Sequence, residues 1–244
     1  MFSKTSLVIA LLSFCSLVHA QGENPAAAAA PESPWSGMVS LGYLSTSGNT
    51  DTTTYKTAFE VVYEKNKWKH TLDGGANGTE DTGESTAESY QAAWKTDYNF
   101  TEKDYVFGLI NWNKDRFSGV VEQLSETVGY GRHVIATPSH ILNLEIGAGN
   151  RDADRSDGTT DGGAIVRGGL DYTWIFSETS GFDQDINIES GSDNTYIESV
   201  SALRARLFGD FAIVLSYTVR QNSDVPVGNV KTDKLSAVSI EYAF

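Results

Sequence analysis

After residue 20 the chain carries three histidines, His70, His133 and His140, and these with the serines are what nucleophilic catalysis would have to use. A Ser-His-acid triad needs an imidazole within hydrogen-bond reach of a serine and a carboxylate behind it. His140 closes the turn-like run Thr137-Pro138-Ser139-His140, and His70 alternates with Trp68 and Leu72. His133 follows Gly129 and Gly131 on a face expected to point inward, with no serine obviously paired to it. There is no Gly-x-Ser-x-Gly, no His-x-x-x-His, and a single cysteine, Cys15. Hydrolase, zinc and disulfide chemistry therefore lack their residues, and no enzyme, cofactor or metal is expected.

The acids are the other candidates. Glu80, Asp81 and Glu84 cluster in one polar run, and Asp152, Asp154, Asp157 and Asp161 in another. The second run does not complete a calcium loop, because Asp157 stands where the EF-hand needs glycine and the closing Glu is missing. Two readings stay open: solvated loop charge forming an acidic rim, or carboxylates holding divalent cations against lipopolysaccharide phosphates. In the 244 residues 32 acids face 18 bases, a net charge of -14, which argues against nucleic-acid binding.

The elements that must position these groups alternate with period two. Tyr55, Thr57, Phe59, Val61 and Tyr63 form one apolar face; Tyr90 to Tyr98, Ala164 to Phe176 and Phe211 to Val219 repeat the pattern. Successive side chains of a strand point to opposite faces, so each segment has an apolar and a polar side. Tight connections at 64–67, 101–104, 137–140, 177–180 and 208–210 alternate with longer ones at 46–52, 78–87, 117–121, 151–163, 191–194 and 223–232. Short turns at one end and longer loops at the other is the layout of an outer-membrane barrel. The expected fold is all-β: a transmembrane antiparallel up-and-down β-barrel of about twelve strands over residues 35–244.

Residues 1–20 read as a signal peptide, with Lys4, an apolar run from Leu7 to Val18, and Val18-His19-Ala20 before the cut. Residues 21–34 read as an Ala/Pro-rich periplasmic linker. Aromatic girdles are expected from Trp35, Tyr43, Tyr63, Trp68, Tyr105, Tyr172, Trp174, Phe208 and Tyr242. Lumen-lining candidates are Glu60, Lys95, Asp97, Lys114, Arg116, Glu145, Arg167, Asp171, Arg204, Arg206, Arg220 and Glu241. With the other inward charges they make a nearly neutral interior; the registers at 121–134 and 179–190 are the least certain. Tyr242 and Phe244 end the chain like the signal read by the outer-membrane assembly machinery. The expected partners are that machinery, outer-membrane lipid and lipopolysaccharide, around a monomer exported to the bacterial outer membrane.

LGYLSTSGNTDTTTY at 41–55, WNKDRF at 112–117, GLDYTW at 169–174, the run from Ile188 through Gly191-Ser192-Asp193-Asn194 and the closing Tyr-x-Phe resemble the salt-induced outer-membrane protein family of the YdiY type. The resemblance covers nearly all of 35–244. It implies an outer-membrane barrel and a link to salt or osmotic stress, and brings no catalytic or ligand residues. A narrow passive pore for small ions or solutes and a plugged structural or surface-interaction barrel both fit.

Overall fold

The computed structural model describes residues 33–46 and 52–244; the expected signal peptide, residues 21–32 of the linker and residues 47–51 of the first loop lie outside the described residues. The described chain forms twelve strands: β1 (Trp35–Thr46), β2 (Thr52–Lys65), β3 (Trp68–Asp81), β4 (Glu84–Asn99), β5 (Asp104–Asp115), β6 (Val120–Ala136), β7 (His140–Arg155), β8 (Thr160–Ser177), β9 (Ser180–Ser190), β10 (Thr195–Phe208), β11 (Phe211–Asn222) and β12 (Thr232–Ala243). Each strand pairs antiparallel with its chain neighbours, and β12 returns to β1 to close the barrel. The closure ends on Phe244, which exchanges two 2.9 Å backbone hydrogen bonds with Gly37. In lipid an unpaired backbone group costs several kcal/mol, so closure is what makes a sheet tolerable there.

Burial runs opposite to that of a soluble protein. Val128 is 70% exposed and Ile146 62%, while Glu189 is 0% exposed and Glu145 7%. On β6 Gln123, Ser125 and Thr127 are buried, while Leu124, Val128 and Tyr130 are exposed alongside Glu126. An apolar exterior around a polar interior is the mark of a barrel built to stand in hydrocarbon. The weakly patterned β6 and β9 settle the same way, with Asp183, Asp185, Asn187 and Glu189 on the inward face of β9.

At the end carrying both Trp35 and Phe244, here the near end, aromatic rings touch in a chain around much of the circumference. Trp35–Tyr63, Trp68–Tyr98, Phe100–Tyr130, Trp174–Phe176, Phe208–Phe211 and Phe211–Tyr242 have centroids 4.7–6.4 Å apart. His70 and His140 belong to this belt, stacked on Trp68 and Trp174 and bonded to Thr96 Oγ1 (3.0 Å) and Tyr172 Oη (2.9 Å). Their place is at the interface, where amphipathic rings are favoured.

The far end corrects two expected loops. Residues 78–87 are not a loop: β3 runs to Asp81, β4 starts at Glu84, and Thr82 (φ 50°) with Gly83 (φ 86°) makes the two-residue turn whose twist suits a hairpin. Residues 151–163 are mostly strand too, turning over only 156–159. Asp- and Gly-rich sequence suggested loops there, but a hairpin projecting past the bilayer needs no apolar face. Of the expected acidic loop rim, Asp157 alone sits in a turn. Asp152, Asp154 and Asp161 lie on the β7–β8 ladder, and Glu80, Asp81 and Glu84 flank the β3–β4 turn.

Candidate functional site

The inward positions build two unlike walls. On the wall from β4 to β8, Tyr105 (3% exposed), Phe107 and Leu109 pack into the lumen from β5. Their rings fit because β6 and β7 offer glycines. A Cβ on Gly131 would lie 2.1 Å from the Tyr105 ring, and one on Gly129 2.6 Å from Phe107. Over this apolar shelf sits Glu145, which accepts from Tyr105 Oη (2.8 Å), from Arg167 (2.7 Å) and from Lys95. Lys95 also lies 3.5 Å from Asp97, and its ammonium is 5.4 Å from the centroids of both rings. A buried carboxylate costs several kcal/mol unless paired; here two cations and a phenol compensate it.

This placement corrects Tyr105, expected in the girdle. The same one-residue shift moves Lys114 and Arg116 out of the lumen, because a strand register exchanges its two faces as a unit. On the outer face of the far-end extension Lys114 bonds Glu122 (2.9 Å), which also accepts from Trp112 Nε1 (2.9 Å). Arg116 bonds Glu88 there (2.7 Å). The missed signal was Gly129-x-Gly131 facing Tyr105-x-Phe107 at equal spacing.

The opposite wall, from β9 through β12 to β2, is lined by small residues, among them Ser40, Ala58, Ala202, Ser216 and Ser239. Its charges include Lys56, Glu60, Asp183, Asp185, Arg204 and Glu241, with Arg204 bridging Asp183 (3.0 Å) and Glu241 (2.9 Å). Asp171 stands directly opposite Asp185, and Glu60 opposite Asp73, two like-charge cross-strand pairs facing the lumen. Such pairs destabilise a sheet unless water, a cation or a shared proton relieves them. Arg206 shares the parity of Arg204 but is exposed at the near end.

Toward the far end the lumen tightens. Arg220 of β11 binds Glu198 (2.5 Å) and reaches across to Gln91 of β4 (2.8 Å). Glu189 accepts from Ser125 (3.0 Å), and Arg151 donates to the carbonyls of Glu189 (3.3 Å) and Asn194 (2.6 Å). Residues 223–231 cross the mouth: Val225, Pro226 and Asn229 lie against Gly119 in the β5–β6 connection, and Asp224 binds Arg155 (2.8 Å). Asp157 is spent on its own turn, where the Thr159 hydroxyl and amide hold its carboxyl below the usual carboxylate range.

The free space follows this gradient: about 600 Å³ at the near end, about 290 Å³ midway, about 40 Å³ below the far mouth. The two larger cavities are lined by ten carboxylates against five Lys and Arg, so the expected near-neutrality is corrected: acids outnumber bases in the wide part, where Asp97, Glu145, Asp183, Glu198 and Glu241 are ion-paired and Glu60, Asp73, Asp171 and Asp185 face the space in like-charged pairs. Of the expected lumen-lining residues, Glu60, Lys95, Asp97, Glu145, Arg167, Asp171, Arg204 and Glu241 line that wide part, with Arg220 above them. His133, also inward, lies between the side-chain amides of Asn143 (2.7 Å) and Asn99 (3.3 Å) and meets no serine.

Closed wall, apolar exterior and charged interior define a transmembrane β-barrel. The family described as "Protein of unknown function, DUF481" matches residues 39–244, and the chain belongs to it. It is 28% identical over 222 residues to the "Uncharacterized protein YdiY" of Escherichia coli strain K12, covering 91% of this chain and 86% of that protein. Among solved structures it resembles an outer membrane channel from Pseudomonas putida F1, with TM-score 0.54, 9% identity, 92% of this chain and all of that one. The NanC porin aligns with TM-score 0.49 and 13% identity over 85% of this chain and 97% of its own.

Proposed function

We propose that the protein is a narrow passive pore of the bacterial outer membrane, favouring small cations, with the near end toward the periplasm. The carrying observation is the cavity that widens from the far mouth to the near end between walls of excess carboxylate. A ring of acids in a low-dielectric wall concentrates cations, an effect that fades as salt shortens the Debye length to ~3 Å at 1 M. The barrel fold and its apolar exterior accord with that membrane, and short near-end turns accord with the periplasmic side. Export through residues 1–20, recognition of Tyr242 and Phe244 by the assembly machinery, a monomeric state and induction under salt stress belong to the same proposal. So does contact of the far-end acids Glu80, Asp81, Glu84, Asp152, Asp154 and Asp161 with lipopolysaccharide.

The test is conductance in planar bilayers under a KCl gradient. Discrete steps with a cation-leaning reversal potential that declines at high salt are expected. A folded, heat-modifiable barrel without steps would replace the pore with the second reading, a sealed structural barrel, which the Arg220–Gln91 tie and the crossing loop at the far mouth favour.

A further inference from the structure

The wall is not zipped evenly. β1 and β12 pair from Gly37 with Phe244 to Gly42 with Ser239, six residue pairs, where each other seam carries eleven or more. Beyond Gly42, β1 continues to Thr46 held only to β2, and β12 before Ser239 is held only to β11. Among the described residues the strands thus part as a slot about four residues long on the β1 side, ~13 Å at strand rise. A tilted strand covers the ~25 Å apolar band in roughly ten residues. Counted from Trp35 in the near girdle, the slot opens at the far edge of the hydrocarbon.

A cavity of about 230 Å³ lies in this place. Tyr43, Leu215 and Val238 line it from the lipid-facing side, and Lys56 and Ser216 from the luminal side. Residues of both faces can share one cavity only where the wall is breached. Lys95, Arg167, Arg204 and Arg220 each hold a carboxylate, whereas the partner of Lys56 is the neutral hydroxyl of Ser216 at 3.1 Å. The slot therefore ends inward on a cation paired with no charge and outward on an apolar lining.

We propose that the β1–β12 slot is a lateral portal through which a single-chain anionic amphiphile of the fatty-acid type passes between the membrane and the lumen. Its carboxylate meets Lys56 and its chain lies along Tyr43, Leu215 and Val238. Exchange through the wall is separate from ion flow along the axis, and stands or falls independently of the pore.

The test uses a diazirine-bearing dodecanoic acid, photo-crosslinked to the full barrel in liposomes, with labelled residues mapped by mass spectrometry. Label is expected on β2 around Lys56 and β11 around Ser216, competed by unlabelled laurate. Locking the slot with oxidised Leu44→Cys/Ala237→Cys in a Cys15→Ser background should cut that inner label at least ~10-fold, about 1.4 kcal/mol of lost occupancy, and reduction should restore it. Lys56→Met tests the same point without a new crosslink: inner label falls, label on the lipid face does not. Label confined to lipid-facing residues, or inner label that persists with the slot locked or Lys56 replaced, overturns the portal.

Discussion

The two walls of the lumen solve the same problem in opposite ways. From β4 to β8, aromatic rings pack on glycines and one buried carboxylate gathers Lys95, Arg167 and Tyr105. From β9 through β12 to β2, small side chains leave space, and at its two edges Asp185 faces Asp171 of β8 and Glu60 faces Asp73 of β3 in like-charged pairs. The packed wall spends its polar groups on one another; the open wall ties Arg204 to Asp183 and Glu241 but turns Glu60 and Asp185 to the space. A barrel of twelve strands is wide enough to need partial filling and still retain a path.

The largest separation between the walls should come from Glu145→Ala. It leaves Lys95 and Arg167 without their buried anion and is expected to cost about 3–5 kcal/mol, read as a lower urea midpoint in micelles. Asp183→Ala on the open wall breaks a half-exposed pair and should cost about 1 kcal/mol or less. Equal losses would erase the distinction. Next in size, Ala202→Phe should roughly halve single-channel conductance by filling the open wall, with little change in stability. An unchanged conductance would mean that ions do not pass along that side.

Arg220→Ala should act in the other sense. It releases the span to Gln91 and is expected to raise conductance about twofold, measured beside wild type in the same bilayer. A smaller effect is expected from Glu60→Gln with Asp73→Asn. The reversal potential under a KCl gradient should move toward zero at ~0.1 M salt and converge with wild type at ~1 M, where charges are screened. A shift that persists at high salt would assign selectivity to pore width instead of charge.

Much of the barrel was legible from alternation alone. The outward faces of β2, β4, β8 and β11 read correctly because each carries a charge-free, mostly apolar row suited to lipid. β5 misled because its inward face bears Tyr105, Phe107 and Leu109, as apolar as an outward one. Nothing within that strand distinguishes the faces; the glycines of its neighbours do. The error then carried Lys114 and Arg116 with it. The expected loops at 78–87 and 151–163 failed for a related reason: hairpins beyond the membrane have two wet faces and lose the alternation that marks a strand.

The sequence by itself determined that the chain crosses lipid as a closed sheet, because period-two apolar rows without helices leave no other way to satisfy the backbone there. It also determined that aromatic rings gather at strand ends and that carboxylates outnumber cations. Which charges meet, and whether they meet as neighbours or across the lumen, was decided only by tertiary structure. The Lys95–Glu145–Arg167 cluster, the span from Arg220 to Gln91, the loop across the far mouth and the parted β1–β12 seam join residues 22 to more than 190 positions apart. Their distances depend on barrel curvature and register, quantities that no local pattern encodes.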